Sequence, residues 1–118
     1  MDILVTNNPM VKTLLKEAYR VEFLDTDLTG ILTNVRDKVH KGHRLLTHPL
    51  MGSVKPNESP YKTVLVTSKP EAIDTQSVTI IEECIQNVLK FTPKNIPGRY
   101  LDDLQMVDLS LIRSIGQK

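Results

Sequence analysis

The sequence predicts an α/β fold: a three-layer, Rossmann-like open sheet of about four mainly parallel strands flanked by about four helices. Three observations carry this expectation. Short apolar runs alternate with segments of helical periodicity, the connections between them are short, and the first three predicted helices each begin on a capping residue. The 118 residues are expected to form one domain, with a β-α-β-α-β-β sheet core over residues 1–68, a helix over 74–91 and a C-terminal helix over 99–115.

The first strand is "DILVT", residues 2–6, an apolar run suited to burial on both faces. "NNP" follows. Asn8 is a good N-cap, and Pro9 suits the first helical position, where the missing N–H has no partner to lose. Met10, Val11, Leu14, Leu15, Ala18 and Tyr19 then fall on one stripe of a helix over residues 9–20. "VEFLD", residues 21–25, reads as a second strand. Thr26 or Asp27 can cap the next helix, whose Leu28, Ile31, Leu32, Val35 and Val39 share a face and whose end falls at Gly42, a residue suited to a left-handed cap.

"RLLTH", residues 44–48, reads as a third strand and "YKTVLVTS", residues 61–68, as a fourth. The connection 49–60 has no helical periodicity and is barely long enough for a parallel crossover, so the fourth strand is expected parallel only by a weak preference over antiparallel. Asp74 caps a helix carrying Val78, Ile81, Cys84, Ile85, Val88 and Leu89, and "TPKNIPG" breaks it. In the final helix, Leu101, Leu104, Met106, Val107, Leu109, Leu111, Ile112 and Ile115 spread over more than one face. Such a helix is either deeply buried or packs on a second surface, a second copy of the chain or another partner.

Composition excludes several functions. Charged residues make up 25% and hydrophobic ones 40%, an ordinary soluble balance. With 15 basic and 14 acidic side chains, a nucleic-acid or anionic-membrane surface has little support. Aromatics are 4% with no Trp, which removes a base-stacking platform. The lone Cys84 cannot pair internally and lies on an apolar helix face. With no signal peptide and no apolar run of membrane length, a cytoplasmic protein is expected.

In open α/β sheets ligands bind beyond the carboxyl ends of the strands. That rim would carry Thr6, Asn7 and Asn8 from the first strand and Thr47 and His48 from the third. The long loop adds Ser53, Lys55 and Asn57, and a parallel fourth strand would add Thr67, Ser68 and Lys69. Amides, hydroxyls, an imidazole and an ammonium, close to the free N–H groups of a helix N-terminus, suit a small polar or anionic metabolite. The same residues have plainer uses. Asn8 can serve as a cap, Thr6 can end a strand, His48 can pin its own loop and Lys55 can stand in solvent.

No phosphate-binding or dinucleotide glycine pattern and no G-x-S-x-G elbow occurs. His43 and His48 sit at opposite ends of the predicted strand, too far apart to share a metal. No cofactor, metal or catalytic set is therefore expected. An enzyme would have to use His48 as general acid–base with Lys55 or Asn7 stabilising an oxyanion.

"TNNP" and "GHRLLTHPLMGSVKPNESPYKTV" together resemble the GrdX family, most closely over residues 3–10 and 42–66. The resemblance implies a small single-domain accessory protein encoded beside glycine, sarcosine and betaine reductase components of amino-acid-fermenting anaerobes. It brings no catalytic residues. Two roles are expected in that setting: regulation through a metabolite held by the polar residues at the rim of the sheet, or assembly by docking on a glycine or betaine reductase subunit.

Overall fold

The computed structural model describes residues 1–50, 57–92 and 94–116. In chain order the elements are β1 (Ile3–Thr6), α1 (Pro9–Leu15), β2 (Arg20–Phe23), α2 (Leu28–Lys41), β3 (Thr63–Val66), α3 (Thr75–Leu89) and α4 (Leu101–Gly116), the last entered through a 3-10 turn at Gly98–Tyr100. The sheet has three strands in the order β2-β1-β3.

β1 lies at the centre because both its faces are apolar. Ile3 and Val5 join Val64 and Val66 of β3 against α2 and α3, where Ile31, Leu32, Val35, Ile81 and Ile85 are buried. Leu4 and Leu65 face the other way, onto Val11 and Leu15 of α1 and Leu109 and Ile112 of α4. Two separate apolar cores therefore grip one small sheet. Burying a Leu or Ile in either contributes about 1.5–3 kcal/mol.

The helices begin where local chemistry dictates. Asn8, Asp27 and Asp74 cap α1, α2 and α3, accepting from the backbone N–H of Met10, Gly30 and Ser77. α2 ends on Gly42 at φ 112°, in the left-handed region. Its backbone lies against that of Glu71, leaving no room for a Cβ.

The expected sheet is corrected in strand number and direction. β1 and β2 are parallel, in the register Ile3↔Arg20, but β3 runs antiparallel to β1, Thr6 lying opposite Thr63. The result is a small mixed sheet with one parallel pair, and the four-stranded, mainly parallel Rossmann-like arrangement is not formed. Leu45 bridges Val66 in the antiparallel sense, so β3 returns alongside the segment that follows α2, and an antiparallel return needs no crossover.

The predicted strand 44–48 is reduced to a single bridge, Leu45 to Val66. Side-chain hydroxyls take over its flanks: Arg44 N–H donates to Thr67 Oγ1 at 2.8 Å, and Leu65 N–H to Thr47 Oγ1 at 3.0 Å. Backbone bonds stand beside them, from Leu46 N–H to the Leu65 carbonyl at 2.8 Å and from Thr67 N–H to the Arg44 carbonyl at 2.9 Å, without extending into a regular ladder. Helix α1 is also shorter than expected. The chain turns after Lys16 so that Arg20 N–H can reach the Asp2 carbonyl at 3.0 Å and start β2.

Candidate functional site

Antiparallel β3 changes what stands beside the carboxyl end of β1. The start of β3 lies there, with Pro60, Lys62 and Thr63, while Ser68 and Lys69 fall at the opposite edge of the sheet. Three of the expected ligand-binding residues, Thr6, Asn7 and Asn8, do come together at this rim, and all three are buried.

Their hydrogen bonds run inward. Asn8 N–H donates to Thr6 Oγ1 at 3.0 Å, and Thr6 Oγ1 lies 2.7 Å from Thr63 Oγ1. Thr63 in turn donates to Asp108 Oδ2 of α4 at 2.7 Å. Because a carboxylate oxygen accepts, the Thr63 proton points to Asp108 and the Thr6 proton points to Thr63. Asn8 closes the circuit, its Nδ2 donating to the same Asp108 oxygen at 3.0 Å and to the Gln105 carbonyl at 3.0 Å, while its Oδ1 caps α1.

Asn7 is spent in a different way. Its Nδ2 donates to the Thr26 carbonyl at 2.9 Å and the Pro60 carbonyl at 2.8 Å, and its Oδ1 accepts from Lys62 N–H at 2.8 Å. One amide thus ties the loop before α2 and the entry to β3 onto the end of β1.

The other expected residues do not join them. Thr47 is buried beyond β3, where it accepts from Leu65. His48 is exposed, and its Nδ1 accepts from Leu50 N–H at 3.1 Å. Asn57 Nδ2 donates to the Thr92 carbonyl at 3.0 Å. Ser53 and Lys55 lie outside the described residues.

Two groups missed in the sequence complete the rim. Asp108 is 5% exposed, an acid set between Val107 and Leu109 and apart from the first-turn acids Asp102 and Asp103, and that placement is the signal that could have found it. Lys62 sits beside it, where burial lowers the ammonium pKa from 10.5 and the Asp108 carboxylate opposes that shift. On the α3 side Cys84 is 2% exposed. Burial first, and then the Glu83 carboxylate, pushes its thiol up to about 11, so it is a poor nucleophile.

A cleft of about 390 Å³ opens at the same edge of the sheet, between the start of α2 and the end of α3. Leu28, Pro60, Val88, Leu89, Phe91 and Ile96 make its walls largely apolar. Asp27, Asn57 and Lys94 supply the polar groups, and Lys94 Nζ lies 3.9 Å from Glu58. The Oδ1 of Asn57 is buried with no hydrogen-bond partner among the described residues. Leu89 is 63% exposed and Phe91 38%, so the apolar wall continues onto the surface.

His40 pairs with Glu82 at 3.2 Å, and His43 Nδ1 donates to the Thr67 carbonyl at 2.8 Å. Among the described residues no three His, Cys, Asp or Glu side chains gather as a metal site, and no helix is long and apolar enough to cross a membrane. A family model described as "GrdX-like protein" matches residues 3–116. No curated protein and no solved structure is detectably similar to the chain.

Proposed function

The chain belongs to the GrdX-like family, and on that premise we propose that it is an accessory protein of a glycine reductase system that docks on a reductase subunit. The apolar cleft between α2 and α3 carries this reading. Leu89 and Phe91 stand exposed at its wall, and large apolar groups at a concave surface mark interaction sites. The polar residues expected to hold a ligand argue the same way. Thr6, Asn7, Asn8 and Thr47 bond to the protein itself, and a ligand competing for them would have to break those bonds.

The test is co-purification with separately purified reductase components. Retention of one component by the parent chain, and its loss in Leu89→Asp and Phe91→Asp variants of unchanged circular dichroism, is expected. Equal retention by the variants, or retention of no component, refutes docking through the cleft.

One observation favours a second reading, a small polar metabolite held in the same cleft. The unpaired Asn57 Oδ1 calls for an N–H donor, and Lys94 offers a cation to an anionic group. Amino acids meet both demands. A thermal-shift titration with them separates the readings, since a ligand raises the melting temperature of the isolated protein and a docking surface leaves it unchanged.

A further inference from the structure

Among the cations that the described ion pairs leave without an acid, four gather in one place. Lys38 meets Glu22 at 2.6 Å, Lys94 lies 3.9 Å from Glu58, His40 meets Glu82, and Arg36 lies beside Asp37. Lys12, Lys16, Arg20 and Lys69 have no carboxylate within 4.0 Å among the described residues. All four are exposed, and all four line one depression of about 620 Å³ at the amino edge of the sheet, opposite the rim and the cleft described above.

The fold brings them there from three segments. Lys12 lies on α1 and Lys16 at its end, four residues apart and so on one face. Arg20 opens β2, and Lys69 follows antiparallel β3, whose direction alone delivers it to this edge. Lys12 Nζ itself sits 4.9 Å from the centroid of the Phe23 ring, at the carboxyl end of β2, so the ammonium groups nearest Arg20 are those of Lys16 and Lys69. Tyr19 and Val21 add an apolar wall and Ser68 a hydroxyl.

Like charges gathered at (i, i+4) spacing and around one concavity repel each other. In a chain of net charge +1 such a gathering is local, not the by-product of a basic protein. A multiply charged anion relieves the repulsion. A phosphate group suits these residues best: its several oxygens accept from two ammonium groups and a guanidinium together, and the guanidinium fork pairs with two of them. A concavity of this volume also admits the organic part of a phosphate ester against Tyr19 and Val21.

We propose that the depression bounded by Lys12, Lys16, Arg20 and Lys69 binds a phosphate-bearing small molecule. Titration calorimetry of the full chain with pyrophosphate, ADP and adenosine tests the proposal at low and high salt. Pyrophosphate and ADP are expected to bind, with affinity falling as salt rises, and adenosine to give no heat. A Lys16→Ala/Arg20→Ala double variant should weaken binding by about tenfold or more. Lys69→Ala should weaken it less, and Lys90→Ala, on the far end of α3, should leave it unchanged. Absence of heat with both phosphates, or affinity that survives the double variant, overturns the proposal. Binding of poly-glutamate while neither phosphate binds also overturns it, and assigns the surface to an acidic polypeptide.

Discussion

Removing the Asp108 carboxylate should loosen α4 from the sheet, and the size of the effect follows from its partners. Asp108 Oδ2 accepts from Thr63 Oγ1 at 2.7 Å and from Asn8 Nδ2 at 3.0 Å, in a buried setting. Hydrogen bonds to a charged group contribute about 1.5–3 kcal/mol each. The full sum is not lost in Asp108→Ala, because Asn8 Nδ2 keeps the Gln105 carbonyl and Thr63 keeps Thr6. A net cost of about 2–4 kcal/mol remains, including the penalty of a buried donor left short of an acceptor. For a domain of this size that corresponds to a fall of roughly 8–15 °C in melting temperature. Asp108→Asn should cost much less, about 1 kcal/mol, since both bonds go to one oxygen that the amide carbonyl can replace. Urea denaturation followed by circular dichroism, with the slope unchanged, measures both variants. Asp108→Ala within about 0.5 kcal/mol of the parent would refute the reasoning, because that is the range of inert surface changes.

Gly42→Ala should cost at least about 2 kcal/mol, from its positive φ and from a Cβ driven into the Glu71 backbone. Gly42→Asn, tolerated at an open left-handed cap, should fare no better in the same denaturation experiment. Lys62→Met should raise the urea midpoint at neutral pH, where the parent holds a half-buried ammonium whose pKa desolvation has lowered below 10.5. The unfolded chain holds that proton more tightly, so the stability of the parent climbs as pH rises towards 10.5 and the advantage of the variant shrinks. Cys84 acts in the opposite sense. Its contribution is whole below the ordinary thiol value of 9.0 and is lost as pH rises through about 11, so Cys84→Ala should flatten that part of the stability curve. Alkylation of Cys84 at mildly alkaline pH should be slow until urea unfolds the chain.

Features set by neighbours in sequence were legible. "ILVT" followed by "NNP" announces a buried strand, a cap and a helix start, and Asp27, Asp74 and Gly42 mark helix ends by chemistry that acts within a turn. Strand partners depend on distant segments. "YKTVLVTS" has the same β-branched composition whether it runs up or down, and its direction decides whether Lys69 or Thr63 stands beside Asn7. Hydrogen-bonding capacity was legible in Asn7 and Asn8, but the partners that use it, Pro60, Lys62 and Asp108, lie 53 to 100 residues away. The cleft joins the start of α2 to the end of α3 and to Asn57, and no local pattern signals such a meeting. The basic depression was hidden by a near-neutral total, because charge balance over the whole chain says nothing about where acids fail to appear.

The bond from Asn8 to Asp108 also orders events in time. α4 is the last of the described helices to be synthesised, yet it covers the face formed by Leu4, Val11, Leu15 and Leu65. Until it emerges from the ribosome, that face has no cover, while the opposite core, built from α2 and α3, has all its parts. A nascent chain stalled before Leu101 therefore presents apolar surface on one side of a sheet whose other side is already packed. Stalled chains of that length should need chaperone protection that the released protein does not.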